Sequence, residues 1–448
     1  MFTFQDFEKA KATEGVVSAI QNALTQHIGS QAYRTAVSAD NYDHQKNDTI
    51  YNYVQVIYSM TGSPIEDFTA SNAKIASNFF HRLNTQRCTY LLGNGVTFTD
   101  DSTKEKLGEH FDTDLKNLAY KALIHGEAFG FWNVDRLHIF TITNFAPLVD
   151  EETGTLKAGI RFWQIDPNKP KYAVLYEEDG FTTYRSESGS EYAEYVEYAP
   201  KTAYKQKVAR TKADGEVIIG EENYGALPII PMWGSSLRQS TLVGMRNAID
   251  SFDLIRSGFA NDLSDCSQVY WILENYGGMS NQELAQFRDR LKIQHIAVAD
   301  TDNGKVTPYT QEIPFSARQE YLDSIRAGIY EDFGALDVHT VAAGATNDHI
   351  DAAYQPMDEE ADDFEYQVID FVQGVLSLIG VVDTPLFKRN RVSNQLEQTQ
   401  MVLAAASYLD QQTVLEKLPW ITVDEVANIM KESLNEADER YEDEEQNG

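Results

Sequence analysis

The chain has 448 residues, 42% of them hydrophobic, and carries 69 acidic side chains against 37 Lys and Arg, a formal net charge of −32. That length and apolar content predict a globular protein of roughly two to four domains with a large buried core. The charge excludes a protein that grips nucleic acid through its phosphates, because such binding needs clusters of Lys and Arg that release counterions.

Asp6 and Glu8 stand where a signal peptide would place a basic region and an apolar run, so no signal peptide is expected. No segment approaches the roughly 18 consecutive apolar residues of a membrane span. Cys88 and Cys266 are the only cysteines. Their number and separation predict neither a disulfide framework nor a metal site, and folding in a reducing cytoplasm is expected.

Residues 1–125 read as helix-rich. An opening segment covers Phe7–Leu24, a polar stretch Ser38–Thr49, and a helix runs from about Ser71 to Tyr90. The turn Gly93-Asn94-Gly95 then precedes a helix near Leu107–His125. From Gly126 to Pro231 the pattern changes to short alternating runs separated by Gly, Pro, Asn and Asp, such as Phe129–Val134, Gly159–Ile165, Tyr172–Tyr176 and Val217–Gly220, which predict strands.

Apolar residues Leu242, Met245, Ile249, Phe252, Ile255, Phe259, Leu263, Cys266 and Tyr270 then recur in steps of three and four, the stripe of an amphipathic rod about 45 Å long. Its other faces hold Asp250, Asp253, Asn261, Asp262 and Asp265, which are expected to meet water or an identical neighbour. A return helix, Phe315–Phe333, repeats the stripe at Tyr321, Leu322, Ile325, Ile329 and Phe333. Between the rods lie an apolar run Val269–Leu273 and a turn at Tyr276-Gly277-Gly278. A short helix opened by a capping box at Ser280 and Glu283 follows, then a strand Ile293–Ala299 and a hairpin turn at Asn303-Gly304. The rods thus present one small α/β knob.

A Gly/Ala loop leads to a long helix with heptad spacing at Tyr354, Met357, Ala361, Phe364, Val368, Phe371, Val375 and Leu378, in which Pro356 is expected to kink the helix or mark its first turn. An apolar turn Val381–Phe387, a polar segment Lys388–Ser393 and a helix Leu396–Leu409 follow. The last helix opens with a capping box at Thr422 and Glu425, and its acidic end, Glu432–Glu445, is expected to fray.

Catalytic signatures are missing from the sequence. It has no phosphate-binding G-x-x-x-x-G-K-[ST] loop, no G-x-G-x-x-G, no G-x-S-x-G, no H-E-x-x-H and no Cys pair at zinc spacing. Asp300-Thr301-Asp302-Asn303-Gly304 fails the calcium-loop spacing and reads as a hairpin turn. No catalytic residue, cofactor or metal is expected. Two other readings stay open, a soluble hydrolase using a carboxylate pair and an acidic module that mimics DNA.

An ordered series of short motifs carries a family resemblance. It runs through Ser71-Asn72-Ala73-Lys74-Ile75, Tyr90-Leu91-Leu92-Gly93, Ala122-Leu123-Ile124-His125-Gly126-Glu127-Ala128 and Gly159-Ile160-Arg161-Phe162-Trp163. It continues with Gly225-Ala226-Leu227-Pro228-Ile229-Ile230, Ile249-Asp250-Ser251-Phe252-Asp253, Ala260-Asn261-Asp262 and Leu415-Glu416-Lys417-Leu418-Pro419. Over nearly its whole length the chain resembles the portal proteins of tailed double-stranded DNA bacteriophages, of the siphophage type found in Gram-positive hosts. It is short for that family.

The resemblance implies a predominantly helical α+β portal fold, assembled as a ring, usually of twelve subunits, at one capsid vertex. DNA is packaged and ejected through such a ring without sequence specificity, past an acidic wall that repels phosphate. The implied division is a wing over 1–238, a first stem helix over 239–271, a clip over 272–314, and a second stem helix over 315–335. A tunnel loop over 336–352, a long wing helix with its strand over 353–392, and a crown over 393–448 complete it. His339, Thr340, Ala343, Gly344, Thr346, Asn347 and His349 would face DNA. In the clip, Ser280, Glu283, Arg288, Lys292, Asp300, Asp302, Asn303 and Lys305 would dock partners. The implied partners are the terminase large subunit, a head-completion or adaptor protein, and the major capsid and scaffolding proteins. No membrane is involved; assembly would take place in the host cytoplasm and the product would reside in the virion.

Overall fold

In the computed structural model, which describes residues 2–59, 61–67, 71–187, 194–211, 217–266, 270–274, 280, 282–283, 286, 305–309, 315–337, 347–391, 395–418, 426 and 429, the chain opens with four helices. These are α1 (Phe4–Glu14), α2 (Val16–Ile28), α3 (Gln31–Asp43) and α4 (Asp48–Asn52). The hairpin β1 (Val56–Tyr58) and β2 (Pro64–Glu66) precedes α5 (Phe79–Leu92), β3 (Val96–Phe98), α6 (Asp101–Leu107) and α7 (Phe111–His125). Ten strands follow: β4 (Glu127–Asn133), β5 (Arg136–Thr141), β6 (Phe145–Val149), β7 (Leu156–Trp163), β8 (Lys171–Glu177), β9 (Gly180–Ser186), β10 (Val196–Thr202), β11 (Lys205–Thr211), β12 (Val217–Glu222) and β13 (Ile229–Trp233). The rest of the chain supplies α8 (Leu242–Cys266), β14 (Tyr270–Glu274), β15 (Lys305–Tyr309), α9 (Phe315–Phe333), α10 (Asn347–Ile379), β16 (Pro385–Phe387), α11 (Gln395–Ala405) and α12 (Gln411–Lys417).

Two compact units emerge. One gathers residues 1–36, 83–241 and 330–448, the other 37–82 and 242–329, so residues 37–82 group with the two rods.

The larger unit is layered, and strand periodicity builds the layers. In β4, Ala128, Gly130 and Trp132 point to one face and Phe129 and Phe131 to the other. The first set, with Met232 of β13 and Leu137 of β5, packs on α7 and on the Phe364–Leu376 stripe of α10. The second set, with Phe140 and Ile229, packs on Val174 and Tyr176 of β8 and on Tyr204 between β10 and β11. The five-stranded sheet β10-β9-β8-β7-β6 then turns Ala158, Ile160, Ala173 and Leu175 toward Ile20, Ala23 and Leu24 of α2. Helices, a three-stranded sheet, a five-stranded sheet and helices again thus share three apolar seams. The seams tolerate little extra bulk: a Cβ on Gly130 would lie 2.4 Å from the Phe371 ring, and one on Gly159 2.0 Å from the Phe145 ring.

The long helix α10 has 33 residues, about 50 Å, with Pro356 inside it and helical structure continuous on both sides. Tyr354, Met357, Ala361, Phe364, Val368, Phe371 and Val375 are all buried, as the heptad spacing predicts, whereas Leu378, its last position, is half-buried. Its C-terminal turn closes on Gly380 at φ 70°, where the Val381 N–H bonds back to the Leu376 carbonyl. The segment expected as an apolar turn continues into β16, which pairs antiparallel with β3.

In the second unit, α8 has 25 residues, about 38 Å, and ends at Cys266, so Tyr270 belongs to β14 and not to the helical stripe. Leu242, Met245, Ile249 and Phe252 are buried, whereas Leu263 is exposed, so the stripe packs along its first half. β14 pairs with β15 in antiparallel register, Glu274 opposite Lys305. The predicted helix from Ser71 starts only at Phe79. Residues 71–78 are extended, because α8 offers their backbone a better set of partners than a helix would.

Candidate functional site

Those partners form a ladder. Along one face of α8, Asp253, Ser257 and Asn261 recur every four residues, about 6 Å apart. Along the extended segment, the N–H groups of Ser77, Ile75 and Ala73 recur every two residues, about 6.6 Å apart. The two periods nearly match, and the chains run in opposite directions. The Ser77 N–H donates to Asp253 Oδ1 at 2.8 Å, Ile75 to Ser257 Oγ at 3.0 Å, and Ala73 to Asn261 Oδ1 at 2.6 Å. The Asn47 amide donates to the second oxygen of Asp253. One turn earlier on α8, Asp250 accepts hydrogen bonds from Thr49 Oγ1 at 2.7 Å and from the Tyr42 hydroxyl.

The expectation that these faces of the first rod meet water or an identical neighbour is therefore corrected at three positions. Asp253 and Asn261 are buried, and Asp250 is tied down by Tyr42 and Thr49. Burial pushes the Asp253 carboxyl above its ordinary value despite its hydrogen bonds. Burial, reinforced by Asp250, pushes the Tyr42 hydroxyl up to about 12, which keeps it a donor. The Ala73–Asn261 bond also joins two motifs far apart in sequence, Ser71–Ile75 and Ala260–Asp262.

In the larger unit, the described residues at both ends of the predicted tunnel loop are held firmly. Gly334, at φ 64°, caps α9: its N–H bonds to the Glu331 carbonyl at 3.0 Å, and the Ala335 N–H reaches back to Tyr330 at 2.9 Å. This closure satisfies carbonyls that a helix end leaves free and turns the chain sharply. Arg87 of α5 donates to the Phe333 carbonyl, stacks 4.2 Å over the Phe333 ring and pairs with Glu360 at 3.1 Å. Gln86 Nε2 donates to the Leu336 carbonyl at 3.0 Å. Leu336 packs against the same apolar cluster, Tyr90, Ile350, Tyr354, Met357 and Ala361, that fixes the first turns of α10.

Two cations that follow β16 secure this corner. Arg389 pairs with Asp358 at 2.8 Å and Glu365 at 3.1 Å, while Arg391 pairs with Asp351 at 3.2 Å and donates to the Tyr90 hydroxyl at 2.8 Å. Burial disfavours the Asp358 charge, but hydrogen bonds from Tyr90, Arg391 and Arg389 prevail and hold its carboxyl below the ordinary value. Phe333–Phe387 contains neither Lys nor Arg, so this clasp brings cations to the acidic face of α10 from the next segment.

Of the residues predicted to face DNA, Asn347 opens α10 and His349 is exposed in its first turn. His339, Thr340, Ala343, Gly344 and Thr346 lie outside the described residues. In the predicted clip, Ser280 and Glu283 form the expected capping box: the Ser280 N–H donates to Glu283 Oε2 at 2.8 Å and the Glu283 N–H to Ser280 Oγ at 3.4 Å. Lys305 sits on β15. Arg288, Lys292, Asp300, Asp302 and Asn303 lie outside the described residues, as do the strand Ile293–Ala299, the turn at Asn303-Gly304 and the capping box at Thr422 and Glu425.

Sequence reading missed the α8 ladder, Arg87 and the Arg389/Arg391 clasp. Only the ladder leaves a signal, the four-residue spacing of Asp253, Ser257 and Asn261. Among the described residues, no helix is long and apolar enough to cross a membrane.

The profile of the family described as "Phage portal protein, SPP1 Gp6-like" matches residues 27–440. The portal protein of Clostridium phage phiCD119 is 25% identical over 442 residues, covering 89% of this chain and 92% of that protein. The portal protein of Bacillus phage SPP1 is 24% identical over 426 residues, covering 84% of this chain and 79% of that protein. A solved chain from the neck of a native GTA particle covers 76% of this chain and 89% of its own length, at 9% identity and a TM-score of 0.43. The family's role is structural and not enzymatic, and its members are virion components. A match spanning most of the sequence, together with relatives aligned over most of both lengths, shows that this chain belongs to the SPP1 Gp6-like family of phage portal proteins.

Proposed function

We propose that the chain assembles into a closed ring, of about twelve subunits in the virion, that conducts DNA at one capsid vertex during packaging and ejection. The family match over residues 27–440 carries this reading. In it, α8 and α9 are the stem, residues 272–314 the clip, residues 336–352 the tunnel loop, and residues 393–448 the crown. The clip docks the terminase large subunit and later a head-completion protein, while the capsid and scaffolding proteins surround the ring, which assembles in the host cytoplasm. The firm anchorage of Leu336 and of the first turns of α10 supports the tunnel-loop assignment. Segments held at both ends, repeated by ring symmetry, make a collar, and the acidic chain lets duplex slide past it without tight binding.

Mass photometry of the purified chain tests the ring. The expected species lies near twelve times the 50.6 kDa subunit, and recombinant rings of eleven or thirteen also support the reading. A monomer at every concentration overturns it. Deleting Val341–Thr346 is expected to leave assembly intact and to impair packaging or retention of DNA in the phage. Normal packaging and retention would reduce the loop to a connector.

A further inference from the structure

The β1–β2 hairpin is the least covered apolar feature among the described residues of the smaller unit. Every residue of both strands is exposed. Val56 pairs with Glu66, Ile57 with Ile65 and Tyr58 with Pro64, and among the described residues each strand keeps one edge unpaired. Val56, Ile57, Tyr58 and Ile65 are 44, 52, 72 and 50% exposed, and Tyr51, Tyr53 and Val54 just before them are exposed as well. Isolated two-stranded hairpins are marginal in water, and open edges carrying apolar side chains invite another chain. Soluble proteins seldom leave such a patch bare unless something binds it.

Charge identifies the occupant. The 17 residues from Thr49 to Ile65 include no Asp, Glu, Lys, Arg or His, in a chain of which 24% is charged. With a single cation beside it among the described residues, Lys74 on the Tyr51 carbonyl, the patch has little to offer phosphate. Its carboxylates, Glu66 at the end of β2 and Asp67 after it, stand at one margin only and are too few to draw a basic partner. Two copies that each carry −32 repel wherever their acidic surfaces meet, and close contact is least opposed at neutral apolar patches such as this one. A ring repeats one such contact at every subunit boundary.

We propose that the β1–β2 hairpin is an assembly arm whose exposed strands are covered by the adjacent copy of this chain. The proposal rests on the ring reading and names one of its contacts. Because Ile57 and Tyr58 are exposed within their own subunit, charging them leaves the fold intact while placing carboxylates in the contact. The double variant Ile57→Asp, Tyr58→Asp is expected to raise the concentration at half-assembly at least tenfold, with circular dichroism and unfolding midpoint matching those of the unaltered monomer. The pair Ile57→Val, Tyr58→Phe is expected to assemble normally.

A photo-reactive p-benzoylphenylalanine replacing Tyr58 supplies an independent readout. In a mixture of isotopically light and heavy chains, it is expected to join peptides from different copies. Ring assembly by the double aspartate variant at unchanged concentration overturns the proposal and leaves the ring reading standing. So does cross-linking confined to one chain, or found only to a capsid protein in infected cells. A monomeric unaltered chain overturns both.

Discussion

Replacing Asp253 with Ala should release the segment 71–78 from α8. Asp253 is fully buried and accepts from the Ser77 N–H at 2.8 Å and from the Asn47 amide. Truncation leaves both donors without that acceptor in a site closed to solvent. A buried polar group left unsatisfied costs about 1–3 kcal/mol, so two give about 2–6 kcal/mol before relaxation. Even the lower end, about 2 kcal/mol, corresponds to roughly 30-fold faster amide exchange where opening is local. Hydrogen exchange read by mass spectrometry provides the assay. Peptides covering 71–78 are expected to exchange at least that much faster, while peptides from β7 and β8 in the other unit serve as an unchanged reference. Asn261→Ala removes one bond, to the Ala73 N–H, and is expected to cost about 1 kcal/mol. Asp323→Ala, at an exposed position on α9, is the control. Unchanged protection of 71–78 in Asp253→Ala, or an equal effect from Asp323→Ala, would refute the ladder.

Gly126→Ala should be costly, because Gly126 sits at φ 89° and an added Cβ would lie 2.6 Å from the backbone of Gln239 and Ser240. Left-handed strain together with backbone displacement predicts a loss of about 2–4 kcal/mol, read from urea unfolding, whereas Gly154→Ala, with open space around it, costs only the strain. Glu127 predicts a pH dependence: burial raises its carboxyl from 4.5 to about 7, only partly offset by Arg238 and Trp233. The folded state therefore keeps a proton that the unfolded state releases, and this group's contribution to stability falls as pH rises from 4.5 through about 7. Unfolding midpoints compared at pH 5 and pH 8 should show a decline that Glu127→Gln abolishes; an equal decline in both proteins would rule Glu127 out as the cause.

The sequence by itself determined the elements that periodicity enforces. The stripe of α10 from Tyr354 to Val375, the return helix Phe315–Phe333, the strand-rich stretch after Gly126 and the Ser280–Glu283 capping box all depend on residues within one or two turns of each other. The family was legible for a similar reason: its motifs keep their order along the chain, and order needs no third dimension. Tertiary structure decided what each polar side chain does. Residues 71–78 carry helix-compatible side chains, yet their backbone is extended because Asp253, Ser257 and Asn261 accept its N–H groups from about 180 residues away. Asp253 reads as a solvated face residue because local sequence does not show what covers a helix. Arg389 and Arg391 read as part of a polar segment until the fold returns them to the carboxylates of α10. Apolar burial repeats with the period of its own element and can be read locally, whereas a hydrogen bond or an ion pair depends on a partner that only the closed fold supplies.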